Sequence, residues 1–175
     1  MKMNIISLEE SKKYMDFFSD SIEMKTLVKY TDPNFKTIVV NEEGTWIDLK
    51  CAKDYDLKKG EFAILDLGLA MRIPRGYEAI IAPRSSTFKK YGIIQANSIG
   101  IIDETYSGND DIWGFPAYAT RDVHISKGDR LCQFRFLPTF EMTIDRIFLP
   151  SIDNTIIEVD ALPGPNRGGF GSTGR

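Results

Sequence analysis

Four short stretches carry most of the side chains that could do chemistry. In APRSST, residues 82–87, Pro83 stiffens the exit from an apolar strand. Arg84, Ser85 and Ser86 then offer a guanidinium, two hydroxyls and consecutive backbone N–H groups, an inventory suited to a phosphate. The same residues would also serve as a polar turn with a helix N-cap. In NSIGIIDETYSGNDDIWGF, residues 97–115, Asp103 follows two isoleucines. A carboxylate at the end of a buried strand is partly desolvated, which would make it a better base than a surface aspartate. Alternatively, Asp103 caps its own turn. Tyr106 offers a flat face and Gly108 a turn. KGDRLCQF, residues 127–134, puts Gly128 and Asp129 in a turn and Gln133 inside a strand. There a buried amide needs partners, unless that strand face is exposed. Finally, NRGGFGSTGR, residues 166–175, interleaves glycines with Arg167, Phe170, Ser172 and Thr173. Successive N–H groups can form a nest for phosphate oxygens, the ring can stack on a planar base, and the arginine can pair with a terminal phosphate. A mobile terminus has the same composition.

What is scarce narrows the chemistry. His124 is the single histidine, so a His-rich metal site is excluded and an enzymatic base would be a carboxylate. Cys51 and Cys132 have neither disulfide-framework nor zinc spacing. A net charge of -3 argues against a general nucleic-acid surface while leaving room for a local cationic pocket. The opening MKMNIISLEE lacks a continuous apolar core, and no apolar run reaches membrane-spanning length. These features point to a cytoplasmic protein with no membrane contact.

These residues have to be held by short strands. The chain's 175 residues, 42% apolar and 27% charged, suggest one globular β domain over residues 1–160 and a glycine-rich arm over 161–175. Within the domain, residues 1–38 form an N-terminal extension. In it, Ser7 and Glu10 make a capping box and Leu8, Tyr14, Met15 and Phe18 share a face, predicting a helix over residues 7–20. Beyond it come short apolar or alternating runs: KTIVV, TWIDLK, EFAILDLGLAMRI, YEAIIA, IIQANSIGII, DIWGFPAYA, RLCQFRFL and MTIDRIF. They are separated by turn signals, the pattern of a β sandwich or barrel. His124 falls where a strand runs into a turn.

In this order, the segments resemble the five motifs of the trimeric dUTP pyrophosphatase (dUTPase) family. The first is TWIDLKCA with Asp48, and the second APRSST. The third is NSIGIIDETYSG, with Gly-x-Ile-Asp-x-x-Tyr-x-Gly from Gly100 to Gly108. GDRLCQF is the fourth and RGGFGSTG the fifth. The resemblance runs from about Trp46 to the C-terminus. It implies an antiparallel β jelly roll, a homotrimer with active sites at subunit junctions, and a C-terminal arm that closes over one of them.

It also implies magnesium-dependent hydrolysis of dUTP to dUMP and pyrophosphate, which limits uracil in DNA and supplies dUMP for dTMP synthesis. By resemblance, Asp103 is the general base for a water attacking the α-phosphorus. Tyr106 lies against the deoxyribose, and Asn97 with the hairpin around Gly100 and Ile102 reads uracil. Arg84, Ser85, Ser86 and Gln133 hold phosphates. Phe170 covers the base, while Gly171, Ser172 and Thr173 follow it onto the phosphates. Mg2+ would be bound by the phosphates and waters without a direct protein ligand, Asp48 orienting one of those waters.

Two departures stand out. Ser86 occupies a position where glycine is usual. The usual fifth motif resembles Arg-Gly-x-Gly-Gly-Phe-Gly-Ser-Thr-Gly, whereas only Gly168 and Gly169 separate Arg167 from Phe170 here. Arg167 and Arg175 are therefore alternative γ-phosphate ligands. Three other readings compete, the plainest being a β trimer without catalysis. A dCTP deaminase on the same fold would need a second carboxylate such as Glu104. A protein-binding module could use the N-terminal helix or the SGNDD loop.

Overall fold

In the computed structural model, residues 4–7, 25–41, 43–139 and 155–170 are described. They form β1 (Asn4–Ile6), β2 (Thr26–Tyr30), β3 (Ile38–Val40), β4 (Ile47–Lys50), β5 (Tyr55–Leu57), β6 (Phe62–Arg72), β7 (Tyr77–Pro83), the short helix α1 (Thr87–Tyr91), β8 (Ile93–Gln95), β9 (Gly100–Ile102), β10 (Ile112–Ala119), β11 (Val123–Ile125), β12 (Arg130–Pro138) and β13 (Thr155–Glu158). The helix expected over residues 7–20 and the strand expected in MTIDRIF lie outside the described residues.

Alternation explains why these segments pair as they do. In β6, Leu65, Leu67, Leu69 and Met71 point to one side and are fully buried, as a strand with one face in the core requires. β6 sits centrally in a six-stranded sheet of order β1-β13-β2-β6-β10-β8. A five-stranded sheet, β3-β4-β12-β7-β9, covers its inner face, and β11 pairs with β5 as a small ribbon. Trp113 on β10 meets Phe134 on β12 edge to face, with ring centroids 5.2 Å apart. That contact joins the two sheets through the centre of the core. The result is an all-β jelly roll of the β-clip kind, as the sequence indicated.

Two details position the site. The run IIQANSIGII divides into β8 and β9 around a tight turn, with Ser98 at φ 61°. The second concerns the chain after β13. A smaller apolar cluster of Leu27, Ala70, Ile157, Val159 and Leu162 lies on the other face of the six-stranded sheet. Leu162 thus pins the start of the C-terminal segment. The mobile tail expected from about residue 161 is instead fixed as far as it is described. Gly164 bridges to Gly108, and hydrogen bonds tie the following residues to the 107–111 loop.

Candidate active site

β9 ends at Ile102 and the chain turns at once. Asp103 heads that turn, accepting the Thr105 N–H at 2.8 Å and also the Thr105 hydroxyl. It therefore caps its own turn, one of the two expectations for it. It also faces a pocket of about 330 Å³ shared with Asn97, Gly100, Ile102 and Tyr106, and with Arg167 to Phe170 from the end of the chain. The Arg167 guanidinium forms an ion pair with the Asp103 carboxylate.

This corrects the expectation that burial makes Asp103 a stronger base. Desolvation does push its pKa up. The hydrogen bonds from Thr105 and Arg167 outweigh it and hold the carboxyl below its ordinary value. The Tyr106 hydroxyl donates to the Ile112 carbonyl at 3.0 Å, which fixes the ring. Burial, and then the charge of Asp111, raise its pKa, so it remains neutral. Phe170 lies beside Gly114, where an added Cβ would come within 3.1 Å of the phenylalanine ring. Glu104, on which a deaminase would depend, turns away and accepts the Gly76 N–H at 2.5 Å.

Sequence reasoning missed Gln95. It is buried on β8, and its amide N–H groups reach the Ile81 carbonyl at 3.3 Å and Asn97 Oδ1 at 3.1 Å. A carbonyl can only accept, so Ile81 dictates which end of the Gln95 amide faces it. Gln95 in turn dictates the Asn97 amide. Asn97 is left with its NH₂ free to donate, which complements a base carbonyl. The only signal in the sequence was a glutamine two residues before the asparagine.

Arg84, Ser85, Ser86 and Gln133 do not line this pocket. Arg84 and Gln133 lie beside Asp48 instead. Buried Asp48 accepts from Arg84 Nε at 2.9 Å and from Arg130 at 3.2 Å. Gln133 sits opposite Asp48 on one side and Ala82 on the other, and its amide reaches toward the Pro83 carbonyl at 3.4 Å. Ser86 heads α1 without a side-chain cap, and Ser85 and Ser86 are both exposed. Gly171, Ser172, Thr173 and Arg175 lie outside the described residues. Asp48→Ala would strand both guanidiniums. Because they are part-exposed, the loss of stability should be about 1–2 kcal/mol, less than for a fully buried pair, measured by chemical denaturation.

Register separates the two groups. Three strand spacings, about 14 Å, lie between β4 and β9 across the sheet. Asp103 follows Ile102, which pairs with Ala79. It is therefore level with Glu78, about four residues or roughly 13 Å along β7 from the row of Asp48 and Gln133. Together these offsets put Asp103 roughly 20 Å from Asp48, far beyond the span of one triphosphate.

Fold and clusters define a class: a β-clip jelly roll with a carboxylate, an amide and an aromatic ring around one pocket and an arginine-serine loop on neighbouring strands. The family model described as dUTPase matches residues 41–164. The chain is 50% identical over 151 residues to the SPbeta prophage-derived deoxyuridine 5'-triphosphate nucleotidohydrolase YosS of Bacillus subtilis (strain 168), covering 86% of this chain and 99% of that protein. A deoxyuridine 5'-triphosphate nucleotidohydrolase of Tropheryma whipplei (strain Twist) is 35% identical over 114 residues, 64% of this chain and 70% of that one. Among solved structures, the Streptococcus mutans dUTPase superposes with a TM-score of 0.57 at 25% identity, covering 63% of this chain and 91% of that chain. A point mutant of the dUTPase from Staphylococcus aureus phage phi11, described with a structural Mg(II) ion, gives 0.58 at 20% identity, covering 66% and 92%. The chain belongs to the dUTPase family.

Proposed function

We propose that this dUTP nucleotidohydrolase cleaves dUTP to dUMP and pyrophosphate by water attack on the α-phosphorus, with Asp103 as the general base. The observation that carries this reading is the convergence of Asp103, Asn97 and Tyr106 on one pocket beside Arg167 and Phe170. Asn97 donates to a uracil carbonyl, and a cytosine amino group at that point would set donor against donor. Tyr106 packs on the deoxyribose, Gly100 and Ile102 form the pocket wall, and Phe170 covers the base. Arg84, Ser85, Ser86 and Gln133 bind the phosphates, joined by Gly171, Ser172 and Thr173 when the arm closes. Residues 1–160 then form the catalytic domain and 161–175 the arm, in a cytoplasmic enzyme.

The roughly 20 Å between the two clusters supports sites shared between subunits of a homotrimer. There the base-and-ring pocket of one chain faces the phosphate-binding set of another. An apolar surface also favours self-association. Phe62, Ile94 and Tyr118 lie in one cross-strand row with Ile64 beside it, and all four are exposed.

Magnesium belongs to this reading as a companion of the triphosphate. Among the described residues, no three His, Cys, Asp or Glu side chains stand together as a cage. Asp48 spends one bond from each oxygen on an arginine, and each oxygen keeps a lone pair for a metal-held water. When bound, the ion neutralises phosphate charge.

Pyrophosphate release from dUTP, dCTP, dTTP and UTP, with ammonia followed for dCTP, tests the assignment. Release from dUTP alone is expected. Ammonia from dCTP would replace it with deamination. The Asp103–Arg167 contact adds a pH signature. As a base, Asp103 must be ionised, so kcat/KM holds down to its depressed pKa and falls below it. Arg167→Ala removes one of the bonds that depress it and should move the acidic limb of kcat/KM to higher pH.

A further inference from the structure

The loop at Ser107–Asp111 takes no part in the pocket chemistry, yet it is bonded along its length to the C-terminal segment. The Asn109 amide pairs with the Leu162 backbone in both directions, donating to its carbonyl at 3.0 Å and accepting its N–H at 2.9 Å. The Asp110 N–H donates to Asn166 Oδ1 at 2.9 Å, and the Asp110 carboxylate accepts from the Asn166 amide. Asp111 is fully buried. Its oxygens accept the N–H of Arg167 at 3.0 Å, of Gly168 at 2.8 Å and of Gly108 at 2.8 Å.

We propose that Asp111 is a positioning residue of this enzyme: a buried carboxylate seat that clamps the root of the arm at Arg167 and Gly168. A buried charge is tolerable only while hydrogen-bonded. Arg167 and Gly168 of the arm supply two of its backbone donors, so undocking would leave the buried carboxylate only those of its own loop, Ser107 and Gly108. Gly168 has φ 74°, a conformation that favours glycine, and Gly169 and Phe170 are exposed. Through Gly168 the arm is thus a fixed root. This accounts for the short spacing between Arg167 and Phe170. A root clamped at the pocket edge needs only two glycines to bring the ring over Gly114 while the guanidinium meets Asp103. The catalytic consequence rests on the pocket being the dUTP site; the docking itself does not.

Limited trypsin digestion of the full chain reads docking directly, because the Arg167–Gly168 bond lies at the clamp. Release of the 168–175 peptide is followed by mass spectrometry alongside kcat and KM for dUTP. Asp111→Asn replaces an acceptor oxygen with an NH₂ that opposes the arm's donors. Gly108→Ala leaves the carboxylate intact but puts a Cβ 2.3 Å from Asn166 Oδ1. It keeps the test open if the first variant does not fold. Both should release the peptide at least about tenfold faster, with KM raised more than kcat is lowered. Release at the wild-type rate in the folded variants overturns the proposal, even if turnover falls. A wild-type protein inactive on dUTP would overturn the substrate reading instead, and peptide release would still judge the clamp.

Discussion

Asp103→Asn should lower dUTP turnover by about a thousandfold, within the 10²–10⁴ range that a positioned base contributes, while nucleotide affinity stays within a few-fold. The substitution preserves shape and keeps one oxygen to accept the Thr105 N–H, so the turn after β9 should persist. What disappears is the negative charge that takes a proton from water and pairs with Arg167. Released from that pair, Arg167 can stay with the phosphates, so binding should hold or tighten slightly. Steady-state turnover and calorimetric binding of a non-hydrolysable dUTP analogue separate the two effects. Near-normal turnover would remove Asp103 from the mechanism. A loss of binding equal to the loss of turnover would make it a structural residue of the turn.

The sequence revealed the residues with reactive groups but not their electrostatics. Asp103, Tyr106, Asn97 and Phe170 stood out through the resemblance of NSIGIIDETYSG and RGGFGSTG to the family's third and fifth motifs; spacing alone left Asp103 as readily a turn cap. The direction of the Asp103 pKa was not legible, because it depends on Arg167, 64 residues away, and on the hydroxyl of Thr105. Asp111 was hidden for the same reason. In a loop reading SGNDD it looked solvent-facing, and only the returning arm buries it. Strands followed a similar rule. Alternating or continuous apolar runs such as β6, β7 and β12 announced themselves. β2, with Thr26 and Lys29 among its five residues, did not. It is a strand because the parallel partner β13 and the antiparallel partner β6 hold it on both sides, a pairing across the whole chain that no local pattern encodes.

Deleting Gly168–Arg175 should leave the jelly roll folded while lowering turnover by roughly 10²-fold or more, the scale on which preorganised donors to a reacting phosphate act. The stability half follows from where the arm is anchored. Leu162 in its apolar cluster, the Gly108–Gly164 bridge and the Asn109 and Asp110 bonds all precede the cut. Of the described residues removed, Gly168 is half-buried and Gly169 and Phe170 are exposed, so the core loses no packing. Among the described residues, the hydrogen bond lost is the Gly168 N–H on Asp111, worth about 1 kcal/mol. The activity half follows from what the tip would do. It would cover the base with Phe170, exclude bulk water while the attacking water stays on Asp103, and present hydroxyls and N–H groups to phosphate oxygens as charge shifts between them. Removing it should therefore lower kcat as well as affinity, unlike the Asp111 variants, in which a loosened arm can still close once dUTP saturates the site. Thermal unfolding alongside kcat and KM distinguishes the outcomes. If the truncated chain unfolds, the arm is a structural element of the domain. If it keeps full turnover, the pocket works uncovered and Phe170 is no lid.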